Sequence, residues 1–265
     1  MYTREQMENM NLADSYTLLY SFLAGPLLTR FGVDGERALR EGTRKFGRDR
    51  AESLRKRHLE ANVKINMHSL FAVGPDLPPD PRFCRELQTL NAQERVSHTL
   101  FCPMADIWKR YGVLELGRIY CEEFHNASYG YSKVNLAKTQ TQPEDGYCAF
   151  NVILRPENLP ENLKPVCFEE YDPCYTGPTK ELKQAYGKVG FSILFIKLYS
   201  HIATAAIEQL GERAMDAICE GLQNMEKDAA ERLKQEAKEQ GQSLTIDFFS
   251  RNYPLEAYPH NEPMW

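Results

Sequence analysis

Two stretches of the chain resemble one another at a constant offset of 179 residues. Aligned without a gap, residues 19–54 and 198–233 share twelve identical residues in 36 positions, where unrelated segments of ordinary composition would share about two or three. Each stretch reads as an apolar helix, a break at Gly32 or Gly211, and a longer charged helix with one apolar stripe. Two similar apolar faces must be buried, and we expect them to pack together. The sequence therefore predicts a duplicated helical unit.

We place the two copies at 17–73 and 196–252 within a single compact domain that spans 1–265. Between them lies an insert, 93–155, which is bracketed by the proline-rich stretches 74–81 and 155–178. The insert contains two helical patterns and the strand patterns ERVSHTLF, VNLAKTQTQ and YCAFNVILR. The expected fold class is α+β, mainly helical, with the duplicated helical unit flanking a small antiparallel sheet and a three-cysteine region.

Composition and charge limit the class of protein and the cellular compartment that the sequence allows. The net charge of −5 argues against a dedicated nucleic-acid binder, and seven cysteines, an odd number in a long chain, do not read as a disulfide framework. The most apolar stretch, Val189–Ile207, contains Lys197 and His201 and is expected to be a buried core helix rather than a membrane span. We expect a cytoplasmic protein, with a small molecule as its partner and with assembly into a homo-oligomer left open.

A basic run at 44–57 is expected to be mainly a solvated helix face, with the alternative that one or two of its arginines bind a substrate carboxylate. The sequence has no C-x-x-C pair, H-E-x-x-H, G-x-S-x-G, G-x-G-x-x-G or Gly-rich phosphate loop. The missing motifs therefore exclude five classes of protein: zinc ribbons, zincin proteases, nucleophile-elbow hydrolases, nicotinamide dehydrogenases of the ordinary type and P-loop enzymes.

Three of the cysteines fall within the insert. Cys102 precedes Pro103, which predicts a helix with Cys102 at its N-cap, where backbone N–H groups lower a thiol pKa. Such a thiol is either a nucleophile or a small residue that fills a strand-to-helix corner. Cys148 lies on the apolar face of its strand, which favours a core thiol over a catalytic one.

Cys121 and His125 are four residues apart on a predicted helix and so share a face. This spacing suits a thiol with its general base, suits two ligands of one divalent metal, and also occurs incidentally. Glu122 or Glu123 can orient His125, although Glu122 can equally pair with Arg118 as helix support. His98 is too far along its own strand to pair with Cys102, but it can reach Cys121 or Cys148 from a neighbouring element.

The order of these motifs resembles the L-2-amino-thiazoline-4-carboxylic acid hydrolase family. The resemblance covers about residues 35–155 and depends on GERALREGTRKFGRDRAESLRKR, CPMADIWKRYGVLELGRIYCEEF and GYCAF. Cys102, Cys121 and Cys148 match the family's cysteines, and the region of Trp108 and Gly117 matches its connecting helices. Two features depart from the family pattern: His125 stands where the family tends to have an acidic residue, and its Gly-Asp step appears here as Asp145-Gly146.

The resemblance implies a cytoplasmic hydrolase that opens a small ring containing sulfur and nitrogen at its C=N bond. We expect no cofactor, with one divalent metal as the alternative. We assign the nucleophile to Cys121, with Cys102 and Cys148 as alternatives, the proton carrier to His125 or His98, and the orienting carboxylate to Glu122 or Glu123. Trp108, Arg118 and Tyr129 are expected to contact the substrate. The alternative mechanism is attack by water assisted by one divalent metal. The alternative functions are a non-hydrolytic biosynthetic enzyme, a protein that only binds a small ligand or metal, and a helical interaction scaffold.

Overall fold

The computed structural model of the protein describes residues 2–60, 66–67, 80–142, 144–155, 157, 159, 161 and 190–254. In this part of the chain the helices are α1 (Arg4–Glu60), α2 (Pro103–Arg110), α3 (Leu114–Ala127), α4 (Gly190–Leu210), α5 (Ala214–Glu239) and α6 (Ile246–Asn252). The strands are β1 (Cys84–Leu90), β2 (Glu94–Phe101), β3 (Lys133–Lys138) and β4 (Cys148–Ile153), which form one antiparallel sheet in the order β1-β2-β4-β3. The expected α+β, mainly helical fold class is confirmed.

The chain divides into two compact units. Unit 1 contains residues 1–39, 77–81 and 188–265, and unit 2 contains residues 40–76 and 82–187. The expected single domain over 1–265 and the repeat boundaries 17–73 and 196–252 stay predictions. Residues 61–65 and 68–73 of the first copy lie outside the described residues, whereas the second copy is described throughout and ends with α6.

Unit 1 is helical and contains both glycine breaks. Gly32 (φ 55°) interrupts α1, and Gly211 (φ 74°) separates α4 from α5. Both residues adopt the left-handed backbone region, which glycine tolerates without a steric penalty. Gly221 of α5 lies so close to the Phe22 backbone that a Cβ atom there would overlap the carbonyl group, and Arg30 Nε donates to Glu220 Oε2 at 2.7 Å. The glycine breaks and these close contacts allow α1 and α5 to pack directly.

Helix α4 contains the apolar stretch singled out in the sequence. Residues Phe191–Leu210 are long and apolar enough to cross a membrane by length and composition alone, and 44% of the window is buried within the protein. Leu198 and Ile202 are fully buried, and the Phe195 ring contacts the Tyr16 ring edge-to-face with centroids 6.0 Å apart. These contacts bury one side of the helix, and a core helix rather than a membrane span stays a prediction. Location in the cytoplasm stays a prediction.

Unit 2 contains the sheet and α3. Leu54, Met67, Val152, Leu154 and Leu159 form a buried cluster. The C-terminal part of α1 runs beside α3, where a Cβ atom at Gly47 would come within 2.8 Å of the Ala127 Cβ atom. The close approach of the two helices fixes the position of α3.

The arginines of α1 hold α3 and the loop that follows it. Arg40 Nη1 donates to Glu122 Oε2 at 2.8 Å and to Glu123 Oε1 at 3.0 Å, and Arg44 Nε donates to Glu123 Oε2 at 3.0 Å. Arg50 and Arg55 donate to the backbone carbonyl oxygens of Ser128 and Gly130, respectively. The solvated face expected for the basic run is therefore wrong for Arg44, Arg50 and Arg55, because their partners lie on an element distant in sequence.

Candidate active site

The structure brings the three cysteines of the insert together. Cys102 is the N-cap of α2, Cys121 lies in the middle of α3, and Cys148 is the first residue of β4. The Cys121 thiol interacts electrostatically with those of Cys102 and Cys148, and the Cys102 and Cys148 thiols interact with each other. Cys102 is partly exposed, whereas Cys121 and Cys148 are buried. We call these three residues the thiol cluster.

A turn after β3, Thr139–Gln140–Thr141, frames the cluster. Gln140 accepts a hydrogen bond from the Cys102 backbone N–H (3.0 Å), donates its own N–H to Cys148 Sγ (3.3 Å), and donates Nε2–H to the Thr99 carbonyl oxygen (2.7 Å). The Thr139 and Thr141 hydroxyls are 2.9 Å apart, and both are within hydrogen-bonding reach of the Cys121 sulfur. Cys148 Sγ also donates to Thr139 Oγ1 at 3.9 Å. One short turn therefore holds all three cysteines.

The thiols of the cluster are protonated at neutral pH. Burial raises the pKa of Cys102 to about 11, although the Met104 and Ala105 backbone N–H groups at the start of α2 act to lower it. Burial likewise raises the pKa of Cys148, and it raises that of Cys121 well above its ordinary value. The predicted N-cap geometry is present, but the expected lowering of the Cys102 pKa is wrong, because the cost of burying a thiolate exceeds the stabilisation from two N–H groups.

Two charged side chains lie beside the cluster. The Asp145 carboxylate accepts the Thr139 backbone N–H at 3.0 Å and is close enough to Cys148 to raise that thiol's pKa. The Arg85 guanidinium acts in the opposite direction and favours the thiolate forms of both Cys102 and Cys148. The neutral thiols thus have one negatively charged and one positively charged side chain near them.

His125 lies among aromatic rings rather than in a hydrogen-bonded pair. Its ring contacts Phe150 edge-on with centroids 4.9 Å apart, contacts Phe124 at 5.5 Å and lies 6.1 Å from Tyr129. Its buried Nδ1 atom has no hydrogen-bond partner among the described residues. Burial, followed by the positive charges of Arg50 and Arg85, lowers the pKa of His125 to about 3. His125 is therefore neutral and a weak base.

The structure does not bring His98 and Glu122 to the thiols. His98 pairs across the sheet with Ala149 and contacts the Tyr147 ring at 4.7 Å, so its side chain is on the face opposite to that of Cys148. Glu122 binds Arg40, and its second oxygen lies 3.5 Å from Arg118 Nη1. The pairing of Glu122 with Arg118 is the helix-support alternative of the sequence analysis.

The three residues expected to contact substrate have different environments. Trp108 is 1% exposed and packs on Gly117, so a ligand has no access to it. Arg118 lines a groove of about 490 Å³ that also reaches Thr141. Tyr129 is partly buried, and its ring lies 5.7 Å from the Arg50 guanidinium carbon.

In the described part of the chain, no three His, Cys, Asp or Glu side chains are arranged to hold a metal ion. The metal-assisted alternative therefore stays an untested prediction without an identified set of ligands.

Sequence reasoning missed four residues of the site: Arg85, Thr139, Gln140 and Thr141. The TQT tripeptide was expected to continue a strand, and only its polar character signalled a turn. Arg85 lies in a segment without alternation, CRELQTL, for which no strand was expected. Asp145 carried a signal, since it occupies the Gly-Asp position of the resemblance.

Neither the comparison with curated proteins nor the comparison with solved structures gives a match. The family model described as L-2-amino-thiazoline-4-carboxylic acid hydrolase matches residues 19–172. The match includes the thiol cluster, the turn at 139–141, Asp145 and Arg85, and it covers more than half of the chain. The chain therefore belongs to the L-2-amino-thiazoline-4-carboxylic acid hydrolase family.

Proposed function

We propose that the protein hydrolyses a C=N bond, or a cyclic amide or amidine bond, in a small heterocycle derived from an amino acid. The observation that carries this proposal is the convergence of Cys102, Cys121 and Cys148 on one hydrogen-bonded turn. The family description supports the class of ring, a thiazoline that bears a carboxylic acid.

Cys102 is the best nucleophile of the three. As a residue it is partly exposed to solvent, unlike Cys121 and Cys148, two backbone N–H groups stabilise negative charge on its sulfur, and Gln140 fixes its main chain. Cys121, preferred from the sequence, is buried, and the neighbouring Cys102 and Cys148 thiols disfavour its thiolate further. Cys148 is the second choice, because Gln140 N–H stabilises its thiolate but Asp145 opposes it.

A protonated thiol suits addition across a C=N bond. The Cys102 sulfur bonds to the carbon while the thiol proton passes to the ring nitrogen, so that no separate strong base is required. The ring C–N bond then breaks as its nitrogen takes a second proton from the exocyclic amino group, and the carbon stays bound to the Cys102 sulfur. Water adds to that carbon, the bond from the carbon to the sulfur breaks, and Cys102 regains its proton, so the net change is one water added and one ring C–N bond broken. The weakly basic His125 and the remote His98 are not needed in this scheme.

Turnover of 2-aminothiazoline-4-carboxylate by the purified protein, followed as the mass gain of one water, tests the function. Cys102→Ser should lose at least about 100-fold in kcat, the range expected for loss of a nucleophile. Cys121→Ser, which leaves the proposed nucleophile in place, is the matched control and should retain most of the activity. Intact-protein mass spectrometry should detect a covalent adduct on the wild type and none on Cys102→Ser.

Full turnover by Cys102→Ser would refute the covalent scheme. Tight binding of the ring without turnover by the wild type would refute the hydrolase proposal and favour a protein that only binds a small ligand.

A further inference from the structure

We propose that Arg85 binds the carboxylate of the ring substrate and so makes the protein selective for rings that carry an acid. This inference deepens the proposed function and rests on it for the identity of the ring. Arg85 lies on β1, outside the insert in which the chemistry was expected.

Strand register places Arg85 on the face of the thiol cluster. Arg85 pairs with Thr99 of β2, and Thr99 pairs with Cys148 of β4, so the three side chains form one row across the sheet. Directly opposed residues of antiparallel strands have Cβ atoms about 5 Å apart. Arg85 is therefore two cross-strand steps from Cys148, and its partner Thr99 lies three residues before Cys102.

A β-bulge produces this register. Cys84 pairs with Phe101, whereas the next residue, Arg85, pairs with Thr99, and a second shift follows between Leu87 and Thr89. Without the first shift Arg85 would oppose Leu100, whose side chain is on the other face, together with that of His98. Bulges are frequent beside active sites, where they redirect a side chain. Here the bulge turns an arginine toward the thiols.

The charges on this face suit an anion. The positive charge of Arg85 acts on Cys102, Cys148 and His125, all of which are neutral at pH 7. Arg95, on the same face, interacts with Arg85 and donates Nη1–H to Ser97 Oγ at 2.7 Å. The carboxylate of Glu86 lies on the opposite face, across from His98. Asp145 places a negative charge beside Cys148, at the cluster end of the row, and its repulsion of a carboxylate favours binding of the substrate acid at Arg85.

A carboxylate at Arg85 also directs the ring. Arginine binds a carboxylate through two parallel hydrogen bonds, which fix orientation as well as position. With the acid held at Arg85, a five-membered ring extends along the row toward the cluster, where its C=N carbon meets Cys102. The buried Nδ1 atom of His125 is then available to a polar group of the ligand.

Kinetics with a matched pair of rings test the proposal. Arg85→Gln should raise KM for 2-aminothiazoline-4-carboxylate about 10- to 100-fold, the contribution expected of a hydrogen-bonded charge pair. KM for the uncharged 4-carboxamide of the same ring should be unchanged. For the carboxylate, KM of Arg85→Lys should lie between those of wild type and Arg85→Gln, since lysine keeps the positive charge but cannot form two parallel hydrogen bonds. Arg110→Gln, which removes an arginine paired with Asp106 on an exposed helix face, is the control and should behave as wild type.

Equilibrium binding separates failure of this inference from failure of the proposed function. L-thiazolidine-4-carboxylate has no C=N bond to hydrolyse, and calorimetry should show weaker binding to Arg85→Gln than to wild type even if no ring is turned over. Equal affinity for the two proteins, no binding to the wild type, or an equal loss for carboxylate and carboxamide would overturn the role of Arg85. Circular dichroism and the thermal midpoint check that the variants are folded.

Discussion

The environment of His125 predicts a stability that falls steeply in acid. The pKa of His125 is lowered from 6.5 to about 3 by burial among Phe124, Tyr129 and Phe150 and by two arginines. The folded state therefore resists protonation that the unfolded chain accepts. A depressed pKa contributes stability that is present above pH 6.5 and is lost as the pH falls toward 3. Between pH 7 and pH 4 the loss from this residue is about 3 kcal/mol.

His125→Phe removes this contribution and keeps a ring among the aromatic side chains. Urea unfolding at pH 7, 5.5 and 4 should show the free energy of unfolding of the wild type falling by about 3 kcal/mol more than that of the variant. His98→Phe, which removes an imidazole on the other face of the sheet, is the matched control. Parallel pH dependences for wild type and His125→Phe would show that the folded protein binds a proton at His125 as readily as the unfolded chain does, and the reasoning on its lowered pKa would fail.

Cys102, Gly117 and Gln140 each have a measurable property that the structure predicts. At pH 7.5 iodoacetamide should label Cys102 about 100-fold more slowly than an ordinary thiol, since the Cys102 pKa is about 11 rather than 9.0. Peptide mass spectrometry measures the labelling, with the exposed Cys84 and Cys219 as internal references for reagent quality. Labelling of Cys102 that is half-maximal below pH 9 would contradict the raised pKa. Gly117→Ala should lower the free energy of unfolding by about 1–3 kcal/mol, because a Cβ atom there would overlap the Trp108 ring, whereas Gly146→Ala, with no atom within 4 Å of the added carbon, should be near neutral in the same thermal melts. Gln140→Ala should cost about 1–3 kcal/mol through the loss of its bonds to Cys102 and Thr99, and unchanged urea unfolding would mean that the turn does not hold the cluster.

Local sequence patterns were sufficient to predict a helix or strand where one face of that element is buried. ERVSHTLF was expected as a strand and is β2 residue for residue, with Ser97 and Thr99 as the buried positions of one face. Pro103 likewise predicted the start of α2 with Cys102 as N-cap. By contrast, β1 has an exposed residue at every position, and such a strand carries no alternation to detect.

The remaining features depend on contacts between distant parts of the chain. The side of the sheet to which Arg85 points is set by a bulge, and a shift of one residue reverses it. The partners of Arg44 and Arg50 lie 79 and 78 residues away, so their spacing along α1 gives no sign of them. The pKa of Cys102 depends on burial by the whole unit, which outweighs the local effect of the helix N-terminus.

The raised thiol pKa values bear directly on how the chemistry can be selective. Forming a Cys102 thiolate at pH 7 from a thiol of pKa about 11 costs about 5 kcal/mol before any bond to substrate exists. A free thiolate would react with any electrophile of suitable size, whereas this cluster stays neutral until a group that can accept the proton is next to it. The basic nitrogen of a C=N bond is such a group, because it accepts the proton as its own carbon is attacked. The turn at 139–141 positions the three thiols but adds no charge to the site. The free-energy cost of ionising Cys102 is avoided only for a ligand whose nitrogen and carbon are both placed correctly. In the proposed scheme, burial of the cluster would therefore restrict the reaction to the right ring, and it would do so without a strong general base in the site.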